Sequence, residues 1–213
     1  MSARTENKSE PHRSKFFSIL AVIPAAMLAL LPHAAYTQTR DLKLQFTPAD
    51  TSIKFTLGDI LHTIHGSFDL KRGNVEYDFA DGGVRGILLV DATSGQSGNR
   101  SRDRRMHKDI LETAKFPEFV FRPDHVEGKV LTGGLSTIQV HGILSIHGAD
   151  HELTMPIRVQ VFPDHWIADT HFTIPYVKWG IKNPSTFFLR VSESVEIDVH
   201  ATGAQPFQAN GMK

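Results

Sequence analysis

Gly98–Phe121, GNRSRDRRMHKDILETAKFPEFVF, is the stretch that separates one fold class from another in this chain of 213 residues. Met106, Ile110 and Ala114 recur every fourth residue with Leu111 beside them, which predicts a helix with one apolar face. Arg102, Asp103, Arg104, Arg105, Lys108, Asp109 and Glu112 charge the opposite face. Pro117 is expected to end the helix, because it lacks an amide proton and biases Phe116 toward extended backbone. A strand follows at once, with Phe119 and Phe121 on one face and Val120 on the other. The rest of the chain from Leu42 to Gly203 reads as short strands and turns, so one helix is laid against a β body.

Upstream, Leu42, Leu44 and Phe46 alternate with Lys43 and Gln45, and Ile53, Phe55 and Leu57 alternate with Lys54 and Thr56. Period two marks strands with one buried face. Pro48–Asp50 is a turn, and Gly58–Asp59 a break. Ile60–Leu70 is strand-like, Gly73–Asn74 is read as a turn, and Val75, Tyr77 and Phe79 alternate in the next strand. Ile87–Val90 is apolar throughout, which suits a strand covered on both faces. Thr93–Gly98 is read as a loop into the helix. Downstream, strands are expected at Val120–Arg122, Val126–Val130, Ile138–Ile146, Leu153–Phe162, Trp166–Ile174 and Phe187–Thr202, with turns at Pro123–Asp124, Gly133–Gly134, Gly148–Asp150 and Pro163–Asp164. About eight or more strands with turns every 8–12 residues favour an all-β sandwich or barrel. No helices alternate with strands, which argues against a parallel sheet.

Composition narrows the function. Lys and Arg together number 23, as do Asp and Glu, so the formal net charge is zero and the basic excess of a nucleic-acid binder is missing. With no cysteine there is no disulfide, no thiolate metal site and no cysteine lipidation. Residues 1–40 read as a targeting segment. Arg4, Lys8, Arg13 and Lys15 precede the apolar run Phe16–Leu31, which is shorter than the roughly 20 residues of a spanning helix. Ala34 and Ala35 follow, with His33 in a position where cleavage prefers a small residue. A cleaved signal peptide and a signal anchor both remain open; either exports the domain 41–203. Residues 204–213 form a polar tail.

Four motifs in order resemble the YceI-like family of lipid- and polyisoprenoid-binding proteins. They are Pro48–Phe55 with Gly66–Ser67–Phe68; Gly98–Asn99, Arg102–Asp103, Leu111, Lys115–Phe116–Pro117 and Phe121; Gly142–Gly148 with Leu153–Pro156; and Tyr176–Ser194, with Trp179–Gly180–Ile181 and Pro184–Ser185. The resemblance implies an antiparallel, lipocalin-like β-barrel of about eight strands with one short helix near one end. It also implies a periplasmic or secreted location, with inner-membrane anchoring as the alternative, and an apolar cavity that takes a long isoprenoid chain.

On that expectation the candidate ligand-binding lining is Phe55, Leu57, Phe68, Phe119, Phe121, Leu144, Ile146, Met155, Ile157, Phe172 and Ile174; the alternative is that these side chains fill a solid core. Arg102, Arg105, Tyr176 and Trp179 are candidates for a head-group or rim contact. Tyr176, Trp179, Phe187 and Phe188 form either a lip or a core plug. Arg100, Arg102, Arg104, Arg105 and Lys108 form either an anion contact or a solvated helix face, with Arg102–Asp103 fixing the loop. His62 and His65 are three apart and His147 and His151 four apart, but the second pair flanks a glycine turn and the first points to opposite faces of a strand, so no metal site is assigned. Thr93–Ser94–Gly95 lacks the strand-to-helix setting of a nucleophile elbow, and no catalytic residue is assigned. The expected function is a non-enzymatic carrier or store for a polyprenyl or quinone-like chain, with that isoprenoid as ligand and no other cofactor. A ligand-free envelope interaction domain and a hydrolase are the alternatives. Membrane-surface contact and a homodimer stay open.

Overall fold

The computed structural model describes residues 41–58, 63–186 and 190–204. The expected signal segment, His62, Phe187, Phe188 and the tail from 205 onward lie outside them. Nine strands occur among the described residues: β1 Asp41–Phe46, β2 Thr51–Gly58, β3 Thr63–Asp78, β4 Val84–Gln96, β5 Glu118–Glu127, β6 Gly134–Ile146, β7 Ala149–Val161, β8 His165–Ile174 and β9 Val195–Ala204. A short helix, α1 (Arg100–Arg105), runs into a π-helical turn at Met106–Ile110.

Every ladder is antiparallel. β1 and β2 lie along successive parts of one edge of β3, with Leu42 opposite Tyr77 and Ile53 opposite Phe68. The 3-10 turn Pro48–Asp50 between them marks the break in this shared staff. β3 pairs with β4 along its other edge, and this closes the ring β3-β2-β9-β8-β7-β6-β5-β4. The result is a closed eight-stranded antiparallel barrel with one short helix, as the sequence predicts. Closure leaves no free edge among these eight positions. The connections β4–β5, β6–β7 and β8–β9 lie at the helical end; β3–β4, β5–β6 and β7–β8 lie at the far end.

Alternation places the apolar side chains inside. Along β6, Ser136, Ile138, Val140, Gly142, Leu144 and Ile146 are buried while the residues between them are exposed or partly exposed. Two continuous strands replace what the sequence suggests are strand pairs. Gly73–Asn74 is not a turn: β3 runs straight through it, with its register against β4 shifting between Leu70 and Arg72. The extra residue flips the pleat, so Leu70 and then Val75 and Tyr77 all face inward. Pro123–Asp124 is likewise a bulge inside β5, and it turns Val126 inward. Thr93–Gln96 is strand rather than loop. β9 begins at Val195, so Arg190–Ser194 is not part of it.

The helix is shorter than the sequence predicts. It ends before Pro117, and Ala114 is exposed rather than part of an apolar face. The π-helical turn closes with the Leu111 amide donating to the Met106 carbonyl at 2.8 Å. That wider turn brings Leu111 into the row of Met106 and Ile110. Glu112 then takes a left-handed conformation, φ 46°, and the helical path stops there.

Candidate functional site

The barrel is hollow. A cavity of about 680 Å³ runs along its interior, from Leu42 and Val84 near the far end to Ile110 and Ile181 near the helical end. This is within the usual 300–1,000 Å³ range of small-molecule sites. Two apolar clusters build its wall. One, at the helical end, includes Phe55, Leu70, Ile110, Leu144 and Met155; the other, at the far end, includes Leu42, Tyr77, Val130 and Val140.

All the side chains expected to line a cavity border it: Phe55 and Leu57 on β2, Phe68 on β3, Phe119 and Phe121 on β5, Leu144 and Ile146 on β6, Met155 and Ile157 on β7, and Phe172 and Ile174 on β8. Their placement follows from strand parity. Aromatic edges pack in series, with Phe68 between Phe55 and Phe119 and both ring centroids 5.4 Å away. Sequence reasoning missed further lining residues. Val140 and Leu153 share the parity of Leu144 and Met155 and were legible on that ground. Ile197 and Val199 alternate in the same way on β9. Tyr77 and Val126 were hidden by the bulges.

Polar lining is sparse. Thr51, Asp169 and Thr170 border the cavity from the wall, and Ser97, Asn99, Ser101, Arg102 and Arg105 come from the segment that carries α1. That segment is held by its own side chains. Asn99 Oδ1 accepts from the amides of Ser101 and Arg102 and caps the helix. Asp103 Oδ1 accepts from the Ser97 amide at 2.9 Å and from its hydroxyl. Arg102 donates from Nε to Ser97 Oγ at 2.7 Å and from its terminal nitrogen to the Ser97 carbonyl at 2.8 Å. Arg102 and Asp103 therefore grip one residue, Ser97, from both sides. Arg102 is committed to this loop; Arg105 has no such bond and faces the cavity mouth.

The connection from β8 to β9 covers the same end. Tyr176 is buried and borders the cavity; its hydroxyl donates to the Ser192 carbonyl at 2.5 Å. Desolvation, and to a smaller degree the negative charge of Glu193, push its pKa up to about 12. Trp179 does not border the cavity. Its indole stacks on the His151 ring with centroids 4.3 Å apart and planes 2° from parallel. This stack joins the connection to β7.

The histidines do other work. His141, His171 and His200 bond to Asp124, Asp198 and Asp169 on neighbouring strands. These rows alternate with the inward residues and so lie on the outer surface, with Asp169 also bordering the cavity. The Asp124 hydrogen bond raises the pKa of His141 above its ordinary value. Among the described residues no group of three histidine or acidic side chains is placed to hold a metal ion.

The fold has known relatives. BcnA from Burkholderia cenocepacia superposes with a TM-score of 0.63 at 16% identity, covering 74% of this chain and 99% of that one. A polyisoprenoid binding domain from Saccharophagus degradans, implicated in plant cell wall breakdown, gives 0.58 at 15% identity, covering 77% and 98%. The YCEI protein of Campylobacter jejuni gives 0.57 at 14% identity, covering 68% and 86%. At such identities the likeness is one of fold. UDP-N-acetylglucosamine 1-carboxyvinyltransferase 1 from two strains of Staphylococcus epidermidis aligns at 28% identity over 174 residues. This chain spans only 38% of the length of those curated relatives, and their activity does not carry over on that basis. The YceI-like domain family matches residues 44–203, nearly the whole barrel. The chain belongs to the YceI-like domain family.

Proposed function

We propose that this protein is a non-enzymatic carrier or store that holds a long isoprenoid chain, polyprenyl or quinone-like, inside its barrel. The observation that carries the reading is the continuous apolar cavity of about 680 Å³ in a closed barrel. Each methylene taken from water into such a space contributes roughly 0.8 kcal/mol, so a long chain binds well with few polar contacts. The ligand class is supported by the shared fold of the Saccharophagus degradans polyisoprenoid binding domain.

A holding role also fits the polar groups. Those at the cavity are few, and the His141–Asp124 and His171–Asp198 pairs lie on the outer surface, away from it. A hydrolase needs a nucleophile and a base converging where the substrate sits. An interaction domain with no ligand has no use for an interior void, which forfeits packing energy.

The basic stretch and apolar run before Asp41 support export, with the barrel in the periplasm, released or anchored. Lipid extraction and mass spectrometry of the protein purified from its own host test the ligand. An isoprenoid co-purifying near one per chain is the expected result. Absence of any bound lipid in folded protein counts against the reading.

A further inference from the structure

β7 and β8 separate partway along the barrel. Their ladder runs from Val161 opposite Trp166 to Ile157 opposite Thr170 and stops there. Both strands continue toward the helical end, β7 bonded to β6 as far as Ala149 and β8 bonded to β9 as far as Ile174. The stop has a cause in the sequence. Pro156 is the next residue of β7 and has no amide proton. Its carbonyl turns toward β8 and accepts from the Thr170 hydroxyl at 2.7 Å, so the missing proton is one that β8 would have taken. A fork is left between residues 153–156 and 171–174. Met155 and Phe172 face inward on its two sides and border the cavity. Asp169, at the base of the fork, bonds to His200 on the outer surface and borders the cavity as well. No other outward position of the described strands does so. The β4–β5 ladder is also short, with four pairs, yet none of its outward residues borders the cavity.

One ring contact spans the open end of the fork. The Trp179 indole, from the connection that follows β8, stacks on the His151 ring of β7 with centroids 4.3 Å apart. His151 Nε2 is buried with no hydrogen-bond partner among the described residues, so no polar bond from that nitrogen backs the stack. Trp179 does not border the cavity and adds nothing to its lining. We propose that the β7–β8 fork is a side gate of the barrel, latched by Trp179 on His151, through which an apolar chain slides in sideways rather than end-on past α1. One ring stack is worth less than the backbone pairings that the fork lacks, so this seam parts before the laddered ones do. The inference rests on the carrier reading above and adds the route by which the barrel is loaded and emptied.

The chain has no cysteine, so a pair introduced by substitution can be bridged selectively. Thr154 and Thr173 are exposed and stand opposite each other when the β7–β8 register is continued across the fork. The test joins Thr154→Cys to Thr173→Cys with a bismaleimide in the full chain and follows all-trans-retinol by its fluorescence in stopped flow. The unbridged double variant is the reference. Bridging is expected to slow loading and release by about tenfold each with Kd unchanged, because a barrier shared by entry and exit changes both rates together. Trp179→Ala is expected to speed both rates, and Trp179→Phe, which keeps a stack, to hold them at the parent values. Phe116→Ala, which loosens the α1 connection from the β6–β7 turn at the same end, is expected to leave both rates unchanged. A bridged protein that exchanges retinol as fast as the unbridged one overturns the gate and leaves the carrier reading standing. So does faster exchange in Phe116→Ala with none in Trp179→Ala, which places the traffic at the helical mouth. Failure of the parent chain to bind retinol overturns both.

Discussion

Glu112 and His147, the two non-glycine residues with left-handed backbone among those described, meet through their side chains at 3.1 Å. Their φ angles are 46° and 53°. Such a conformation costs an L-residue roughly 1–2 kcal/mol. Glu112 ends the helical path, and His147 sits in the β6–β7 turn. Next to them the Phe116 ring contacts the His147 ring at 4.7 Å and lies over Gly148, where a Cβ would stand 2.4 Å from the ring. The connection that carries α1 is therefore fastened to the β6–β7 turn, mostly by this packing. The ion pair is half open to solvent and adds little.

Glycine should do better than alanine at position 112. Both Glu112→Ala and Glu112→Gly lose the pair with His147, but only glycine relieves the backbone. The glycine variant is expected to exceed the alanine variant in stability by about 1 kcal/mol in urea denaturation. Equal stability of the two would mean that the left-handed turn carries no strain.

Strand parity makes a sharp contrast at neighbouring positions. Leu144 is buried and borders the cavity, while Ile143 points the other way and faces Arg122 and Glu152 on the adjacent strands. Leu144→Arg places a charge in an apolar chamber, at a cost of about 3 kcal/mol or more unless the side chain reaches water. Uptake of an apolar fluorescent probe is expected to fall sharply in Leu144→Arg and to persist in Ile143→Arg. Circular dichroism must show both variants folded. The opposite ranking would mean that β6 is turned over.

What the sequence makes legible follows from how local each signal is. The alternation from Ile138 to Ile146 needs no partner to be read, so the inward face of β6 is visible in advance, whereas a hollow behind it and a solid core give the same pattern. The pairing of Arg102 and Asp103 with the loop before α1 is legible for the same reason: all the groups lie within six residues of Ser97. Bulges are not local. Gly73 reads as a turn because glycine usually marks one, yet here it faces Phe46, whose Cβ would be 3.0 Å from a side chain at that place. Only the partner strand reveals why glycine stands there. The helix end is hidden in the same way. Glu112 is a good helix former, and its left-handed turn is set by the β6–β7 turn, far along the chain.

Gly66 is a second glycine whose reason lies across the sheet. It pairs with Phe55, and a Cβ there would stand 2.2 Å from Phe55 Cζ and 2.4 Å from the backbone oxygen of Gln96. The ring can swing away, but only into the cavity; the carbonyl cannot. Gly66→Ala is expected to lower stability by about 1–3 kcal/mol and to reduce probe uptake. Gly133→Ala, where nothing lies within 4 Å, is the matched control, with a change within about 0.5 kcal/mol. Chemical denaturation of both variants decides the matter.

Tyr176 offers a test of how dry the covered end is. Its pKa is pushed up to about 12, first by desolvation and then by Glu193. A phenol ionises near 10 in the unfolded chain. Its neutral form is therefore favoured by folding, and the contribution is complete below about pH 10 and is lost as pH rises toward 12. Ionisation also removes the proton that Tyr176 donates to the Ser192 carbonyl, leaving two acceptors face to face. In an absorbance titration one tyrosine is expected to ionise only near pH 12, and Tyr176→Phe should remove that step. The urea midpoint of the parent protein should fall between pH 10 and 12, with a shallower fall in Tyr176→Phe. A Tyr176 that titrates near 10 would mean that water reaches the hydroxyl, and that this end of the barrel stands open.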